Sequence, residues 1–245
     1  MMSTSILKHT TVAELVANDY RTAGVFRKYG IDFCCGGRKT LETVGLEKGI
    51  DLSELARSIQ DALEESTVEE KQYQFWTLAA LIDHIVNVHH CYVNENMVAI
   101  SSYAEKVARV HGAHHPETQT IFSLWQEVET ELTIHMKKEE LVLFPYIKNL
   151  ERFSRGELDA FPFPHFGTVK NPITMMRKEH EVAGSLMKRI QELSDQFTPP
   201  DYACNTYRVL YAKLQEFQDD LIQHIHLENN ILFPKVEALE EKWSI

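Results

Sequence analysis

The chain has 245 residues, 44% of them apolar and 25% charged, with a formal net charge of −11. That length holds one large domain or two unequal ones, and the apolar fraction supplies an ordinary globular core. An acidic chain without a basic stripe is a poor partner for nucleic acid or an anionic lipid surface, and no apolar run approaches the roughly 20 residues that span a bilayer.

The first segment, MMSTSILKHTTVAELVAND, lacks the basic start and continuous apolar run of a secretory signal, so the protein is expected in the cytoplasm. Residues 1–66 read as a small helical domain. Thr11 with Glu14, and Asp51 with Glu54, have the spacing of capping boxes and open two of its helices. Between them, YGIDFCCGGRKT carries Gly30, suited to end a helix, and a tight Gly36–Gly37 turn preceded by Cys34 and Cys35. A helix starting near Lys39, with Arg38 and Lys39 close by, is expected to favour thiolate and make at least one of the two cysteines reactive. A disulfide between them would close a strained, readily reduced ring. Such a pair suits redox exchange, nitric oxide capture or iron handling; the plainer alternative is a buried turn packed by Phe33. Residues 64–72, EESTVEEKQ, lack apolar periodicity and read as a hinge.

From Gln74 the helical period is sustained, and four long helices are expected over about 74–110, 116–144, 172–196 and 201–233 or beyond. The run FSRGELDAFPFPHFGTVKNP cannot continue a helix, and Pro199-Pro200 breaks the chain again. His165 in the first of these interruptions reads as a surface residue. Cys91 and Cys204 read as small buried hydrophobes. The expected fold class is all-α: an antiparallel four-helix bundle over 74–240, preceded by the small helical domain.

Twelve histidines direct attention to metal. Two segments repeat the pattern H-x3-E-x4-F-P: His135 to Glu139 with Phe144-Pro145, and His224 to Glu228 with Phe233-Pro234. Positions i and i+4 share one helix face, so each segment presents an imidazole and a carboxylate to a common point. That face is apolar, led by Phe122, Trp125, Val128 and Leu132 in one helix and by Leu214, Phe217 and Leu221 in the other. An unpaired carboxylate is costly there unless a cation accompanies it. One such pair alone could be a surface or hydrogen-bonded core pair; two on two apolar stripes favour metal.

His180 lies 44 residues before His224, and 45 residues before His135 stands His90. Both lie on apolar stripes, whereas His84 and His89 fall on less consistent lines and are expected in supporting or surface positions. His226 points to another face. Glu179 and Glu181 flank His180, and either could orient an imidazole. Tyr92 and Tyr207 are candidate donors to a bound oxygen species. Four imidazoles and two carboxylates exceed what one zinc takes, and calcium or magnesium would want oxygen donors only. Mixed nitrogen and oxygen donors suit two ions of iron, or less readily manganese, with Glu139 and Glu228 bridging.

HMKKEELVLFP and HIHLENNILFP make residues 74–240 similar to a hemerythrin-like domain. VFRKYGIDFCCGG resembles the short cysteine-bearing domain of the repair-of-iron-centres family, the bacterial di-iron proteins of iron–sulfur cluster repair. The two together cover nearly the whole chain in the family's order. The resemblance implies two non-haem irons, oxo- or hydroxo-bridged, held by His90, His135, Glu139, His180, His224 and Glu228, with Cys34 and Cys35 as the family's vicinal cysteines. It implies a cytoplasmic stress protein whose partners are damaged iron–sulfur proteins and nitric oxide or oxygen species, and it is compatible with a homodimer. Repair by iron donation or nitric oxide removal is the leading expectation. A nitric oxide reductase is the second, and an oxygen- or iron-binding module without turnover the third.

Overall fold

The computed structural model describes residues 9–65 and 72–243. Most of the expected hinge, residues 66–71, and the first eight residues of the expected small domain lie outside the described residues. Among the described residues the chain is helical, without strands; one isolated antiparallel bridge joins Thr11 to Thr40. No helix among them is long and apolar enough to cross a membrane.

Among the described residues the small domain includes α1 (Val12–Asn18), α2 (Thr22–Lys28), α3 (Leu41–Lys48) and α4 (Leu52–Glu65). Thr11 and Glu14 form the reciprocal capping box expected at the start of α1. Asp51 caps α4 by accepting from the amides of Ser53 and Glu54, but Glu54 turns its carboxylate to the Tyr29 hydroxyl, so that cap is one-sided. Gly30 follows α2 with φ +62°, the left-handed region in which glycine carries no penalty. Val12, Phe26, Phe33, Leu41, Leu55 and Ile59 make a separate small core.

Among the described residues seven further helices build four rods, three of them composite. The first rod joins α5 (Leu78–His84) to α6 (Cys91–His111) through a π-helical turn, Ile85–His90. The second joins α7 (Glu117–Lys138) to α8 (Phe144–Ser154) through Glu139–Leu143. The third is α9 (Lys170–Leu193), uninterrupted. The fourth joins α10 (Asn205–His226) to α11 (Phe233–Glu241) through Leu227–Leu232. Rod two packs on rods one and three, and rod four closes the bundle against rods one and three.

The second helix was expected to end near Phe144; instead the rod runs on to Ser154. Pro145 falls in the first turn after the wide π turn, where its missing N–H costs nothing, and Pro234 does the same in rod four. Cys91 and Cys204, expected to be buried, are exposed. Cys91 opens α6 just past a π turn, and Cys204 is the residue before α10, so neither lies on the inward stripe of its helix. His165 is exposed, as expected.

The bundle core is divided along its length. One cluster holds Val93, Trp125, Leu132, Ala183, Phe217 and Leu221; the other holds Ile85, Leu143, Phe144, Met176, Leu227 and Phe233. Between them, on all four rods, lies a layer of buried polar side chains.

Candidate metal centre

The polar layer is made by the six residues of the sequence pattern. His90, His135, Glu139, His180, His224 and Glu228 are each no more than 2% exposed. Three of them stand in π turns: His90 ends one, Glu139 begins another and Glu228 is the second residue of the third. An inserted residue in a π turn changes the phase of the helix, a common way to aim side chains at a functional point.

The donor atoms form two groups that share both carboxylates. One ligand atom each from His90, Glu139, His224 and Glu228 lie within 4.8 Å of one another, and so do those of His135, Glu139, His180 and Glu228. Nε2 of His90 and Nε2 of His135 each lie 3.4 Å from Oε2 of Glu139. Nε2 of His180 lies 3.0 Å from Oε2 of Glu228, and Nε2 of His224 lies 3.1 Å from its Oε1. Nε2 of His180 and Nε2 of His135 are 3.1 Å apart.

These atoms satisfy one another only in part: His224 bonds to Oε1 of Glu228, and His180 to His135, through their Nε2 atoms. Both oxygens of Glu139, Oε2 of Glu228 and Nε2 of His90 are buried and make no hydrogen bond of acceptable geometry. Buried polar atoms are normally partnered, and four orphans converging on one point fit a cation. Imidazole with carboxylate is a donor set for iron, manganese or zinc, and two shared carboxylates suit two ions.

Electrostatics agree with that reading. Burial pulls the His90 imidazolium down, but Glu139, Glu228 and Glu140 outweigh it and raise the group to about 8. Burial is likewise overcome at His180, by Glu228, Glu139 and Asn229, which lift it to about 9. Burial opposes ionisation of Glu228, yet His224 and His180 hold it well below the usual carboxylate range. The Glu228 carboxylate is thus held ionised at the centre of the layer.

Outer partners fix three of the four inward rings. Nδ1 of His90 lies 2.7 Å from Glu140, that of His135 2.9 Å from Glu179, and that of His180 3.0 Å from Oδ1 of Asn229. Such a contact sets ring orientation and leaves Nε2 to face inward. Glu179 thus orients His135 and not its neighbour His180, while Glu181 is exposed and touches no ring of the centre. Nδ1 of His224 has no hydrogen bond; its ring stacks on His89 at 5.6 Å. His89 itself, expected in a supporting or surface position, is buried and bonded to Asp220 at 2.9 Å. Glu140 and Asn229 were missed in the sequence. The available signal was their shared position, each directly after the glutamate of H-x3-E.

Of the two tyrosine candidates, Tyr207 spends its hydroxyl on Tyr211 and stacks near His111. Tyr92 packs on Phe217 with a buried hydroxyl that burial raises to about 12. Neither makes a contact with the six.

The small domain sits against rod four beside this layer. Nδ2 of Asn229 donates to the Cys34 carbonyl at 3.3 Å, and Nδ2 of Asn230 to the Phe33 carbonyl at 2.9 Å. His226 is buried between Tyr20 and Phe33, each ring 5.8 Å away, and burial drives it down to about 3. Its role is packing at this junction, consistent with its pointing away from the centre. Arg27 pairs with Asp219 at 2.8 Å.

Cys34 and Cys35 are free thiols, half-buried, with sulfurs 3.8 Å apart. The expectation of a thiolate at this turn is corrected for Cys34. The contact with Cys35, burial and the neighbouring Asp32 push its thiol well above the usual range, and Lys39 is engaged by Glu47 instead.

Residues 81–236 match the Hemerythrin HHE cation binding domain family, and residues 8–63 match ScdA_N, a domain of unknown function (DUF542). A Haemophilus influenzae protein described as a probable iron-sulfur cluster repair protein is 35% identical over 233 residues, covering 94% of this chain and 97% of its own. The iron-sulfur cluster repair protein YtfE of Cronobacter sakazakii is 36% identical over 230 residues, and that of Escherichia coli O1:K1 / APEC 34% over 229, with the same coverage. On this two-domain match and this near-complete coverage, the chain belongs to the family of hemerythrin-domain iron–sulfur cluster repair proteins.

Proposed function

We propose that this protein helps rebuild iron–sulfur clusters damaged by nitrosative or oxidative stress, using a pair of non-haem irons bound in the middle of the bundle. One observation carries the reading: two four-donor groups share Glu139 and Glu228, three of whose four buried carboxylate oxygens have no hydrogen-bond partner. His90 and His224 would hold one iron, and His135 and His180 the other. Glu139 and Glu228 would reach both, with an oxo or hydroxo bridge completing the pair. Iron there would supply exchangeable metal and open positions for nitric oxide or oxygen species.

The chain's own part is to aim four Nε2 atoms inward, hold two buried carboxylates among them, and close the layer above and below with apolar side chains. Such a centre suits a cytoplasmic protein organised as a small domain, 1–66, and a bundle, 74–240. Its partners would be proteins with damaged clusters. The named relatives, which act in cluster repair by their descriptions, support this reading over an oxygen carrier.

The test is metal analysis with a Mössbauer spectrum of the anaerobically reconstituted chain, followed by reactivation of a cluster enzyme inactivated with nitric oxide. Two antiferromagnetically coupled irons per chain and faster reactivation are expected. One zinc, or no metal, would remove the physical basis of the proposal. A loaded centre without reactivation would keep the metal pair and reject the repair function.

A further inference from the structure

We propose that Asp32, Cys34 and Cys35 form a second cation site, separate from the bundle centre, which takes one divalent thiophilic ion of the zinc or ferrous class. One donor atom from each of the three lies within 4.8 Å of the others. The sulfurs are 3.8 Å apart, and Sγ of Cys34 is 3.3 Å from Oδ1 of Asp32. For a tetrahedral ion with metal–sulfur bonds of about 2.3 Å and a metal–oxygen bond of about 2.0 Å, the sulfur–sulfur edge is about 3.8 Å and the sulfur–oxygen edge about 3.5 Å. The three side chains thus already outline one face of such a tetrahedron.

The loop holds them in place from three directions. Oδ1 of Asp32 accepts from the amides of Cys34 and Cys35, each at 3.0 Å. A Cβ at Gly37 would come within 2.3 Å of the Phe33 carbonyl, so the turn closes there only with glycine, and one at Gly36 would stand 3.2 Å from the Asp32 carboxylate, a tight contact. Asn229 and Asn230 anchor the Cys34 and Phe33 carbonyls to rod four. Sγ of Cys35 lies against Gly184 of α9, 4.0 Å from where a Cβ would stand, one helical turn past His180.

Binding changes no oxidation state. Each thiol releases a proton to solvent as its metal–sulfur bond forms, and the two thiolates balance the charge of the divalent ion. Asp32 is exposed, so the ion enters from solvent and a water completes the fourth position. Three protein donors and one water define an exchangeable site, unlike the closed structural type. Its sulfur donors distinguish it from the imidazole–carboxylate layer.

That difference supplies the test. The iron-loaded full chain, carrying Cys91→Ser and Cys204→Ser at two exposed positions, is titrated anaerobically with cobalt(II). The expected result is a near-ultraviolet thiolate-to-cobalt charge-transfer band with intense tetrahedral d–d absorption. It should saturate at one cobalt per chain while iron content stays constant. Asp32→Asn is expected to weaken cobalt binding at least tenfold, and Cys34→Ser to abolish the band.

Absence of the band at millimolar cobalt, in a chain whose two remaining thiols are reduced, would overturn the site. A band that survives Cys34→Ser would also overturn it. Should that variant fail to fold, alkylation of Cys35 in the parent decides: cobalt should slow it at least tenfold, and an unchanged rate rejects the proposal. The sulfur band reports this cluster alone, whatever occupies the bundle.

Discussion

Asn229 ties Cys34 to His180: its Oδ1 lies 3.0 Å from Nδ1 of the ring, and its Nδ2 donates to the Cys34 carbonyl at 3.3 Å. One carboxamide therefore orients a proposed iron ligand and docks the cysteine loop. Two substitutions separate these tasks. Asn229→Ala loses both and is expected to weaken metal retention about 10- to 100-fold, the usual effect of removing such a partner. Asn229→Asp keeps the acceptor for His180 but has no donor for Cys34. It is expected to retain metal while hydrogen exchange in α1 and α2 accelerates, by the loss of a bond worth about 1 kcal/mol. Equal loss of metal in both variants would show that the amide donor, not the acceptor, matters to the centre.

The shared carboxylates separate ligands from bystanders. Glu139→Ala and Glu228→Ala each remove a group common to both donor sets, so each should deplete both irons, read by metal analysis after gel filtration. His165→Ala, at an exposed position in the loop between rods two and three, should keep full metal content. If either glutamate variant kept two irons per chain, that glutamate would not be a bridge.

The six inward residues were legible because each obeys helical spacing on an apolar stripe, and the repeat placed them twice. Part of what escaped the spacing argument has its origin in the π turn. At Ile85–His90 the widened turn changes the phase of the helix, and His89 and His90 are both buried in it. The same device carries rods two and four through Phe-Pro, where a regular helix would end. Glu140 and Asn229 look solvent-facing on a helical wheel, yet each reaches an imidazole on a different rod, a contact that spacing within one helix cannot reveal. The cysteine loop was legible as a turn. The charge environment was not, because Glu47 and Asp32 act on Lys39 and Cys34 only through the folded backbone.

The repeat extends to the ends of the helices. Glu151 accepts from the amides of Leu78 and Ala79 at 2.9 Å each, capping rod one. Glu240, at the matching place in rod four, accepts from the Val169 amide at 3.0 Å and from the Thr168 hydroxyl at 2.6 Å, capping rod three. Both are buried, and both place negative charge at a helix N-terminus. Glu151→Ala strands two amide donors and is expected to destabilise the metal-free chain by about 2 kcal/mol, read from the urea midpoint. Glu240→Ala should cost at least as much, since the Tyr146 hydroxyl also donates to it. A loss below about 0.5 kcal/mol in both would mean that water replaces these caps without penalty.

The two proposed metal positions are not supported alike. His135 and His180 both have an outer partner at Nδ1, in Glu179 and Asn229, whereas of His90 and His224 only His90 does, in Glu140. Where one half of the repeat carries Glu179, the other carries His89, which stacks on His224 and turns its Nδ1 to Asp220. An outer partner at Nδ1 fixes a ligating ring and strengthens it as a donor. Each position has one carboxylate, so it is Asn229 behind His180 that should make the position served by His135 and His180 bind the tighter of the two ions. Two quadrupole doublets are expected in the Mössbauer spectrum of the loaded chain. A chelator should empty the His90 and His224 position first. Glu179→Gln should narrow that difference, weakening the tighter position about tenfold or more, while Glu140→Gln should widen it. One doublet and a single release phase in the parent chain would mean that the bridging carboxylates level the two irons and that the outer partners serve only to hold the rings.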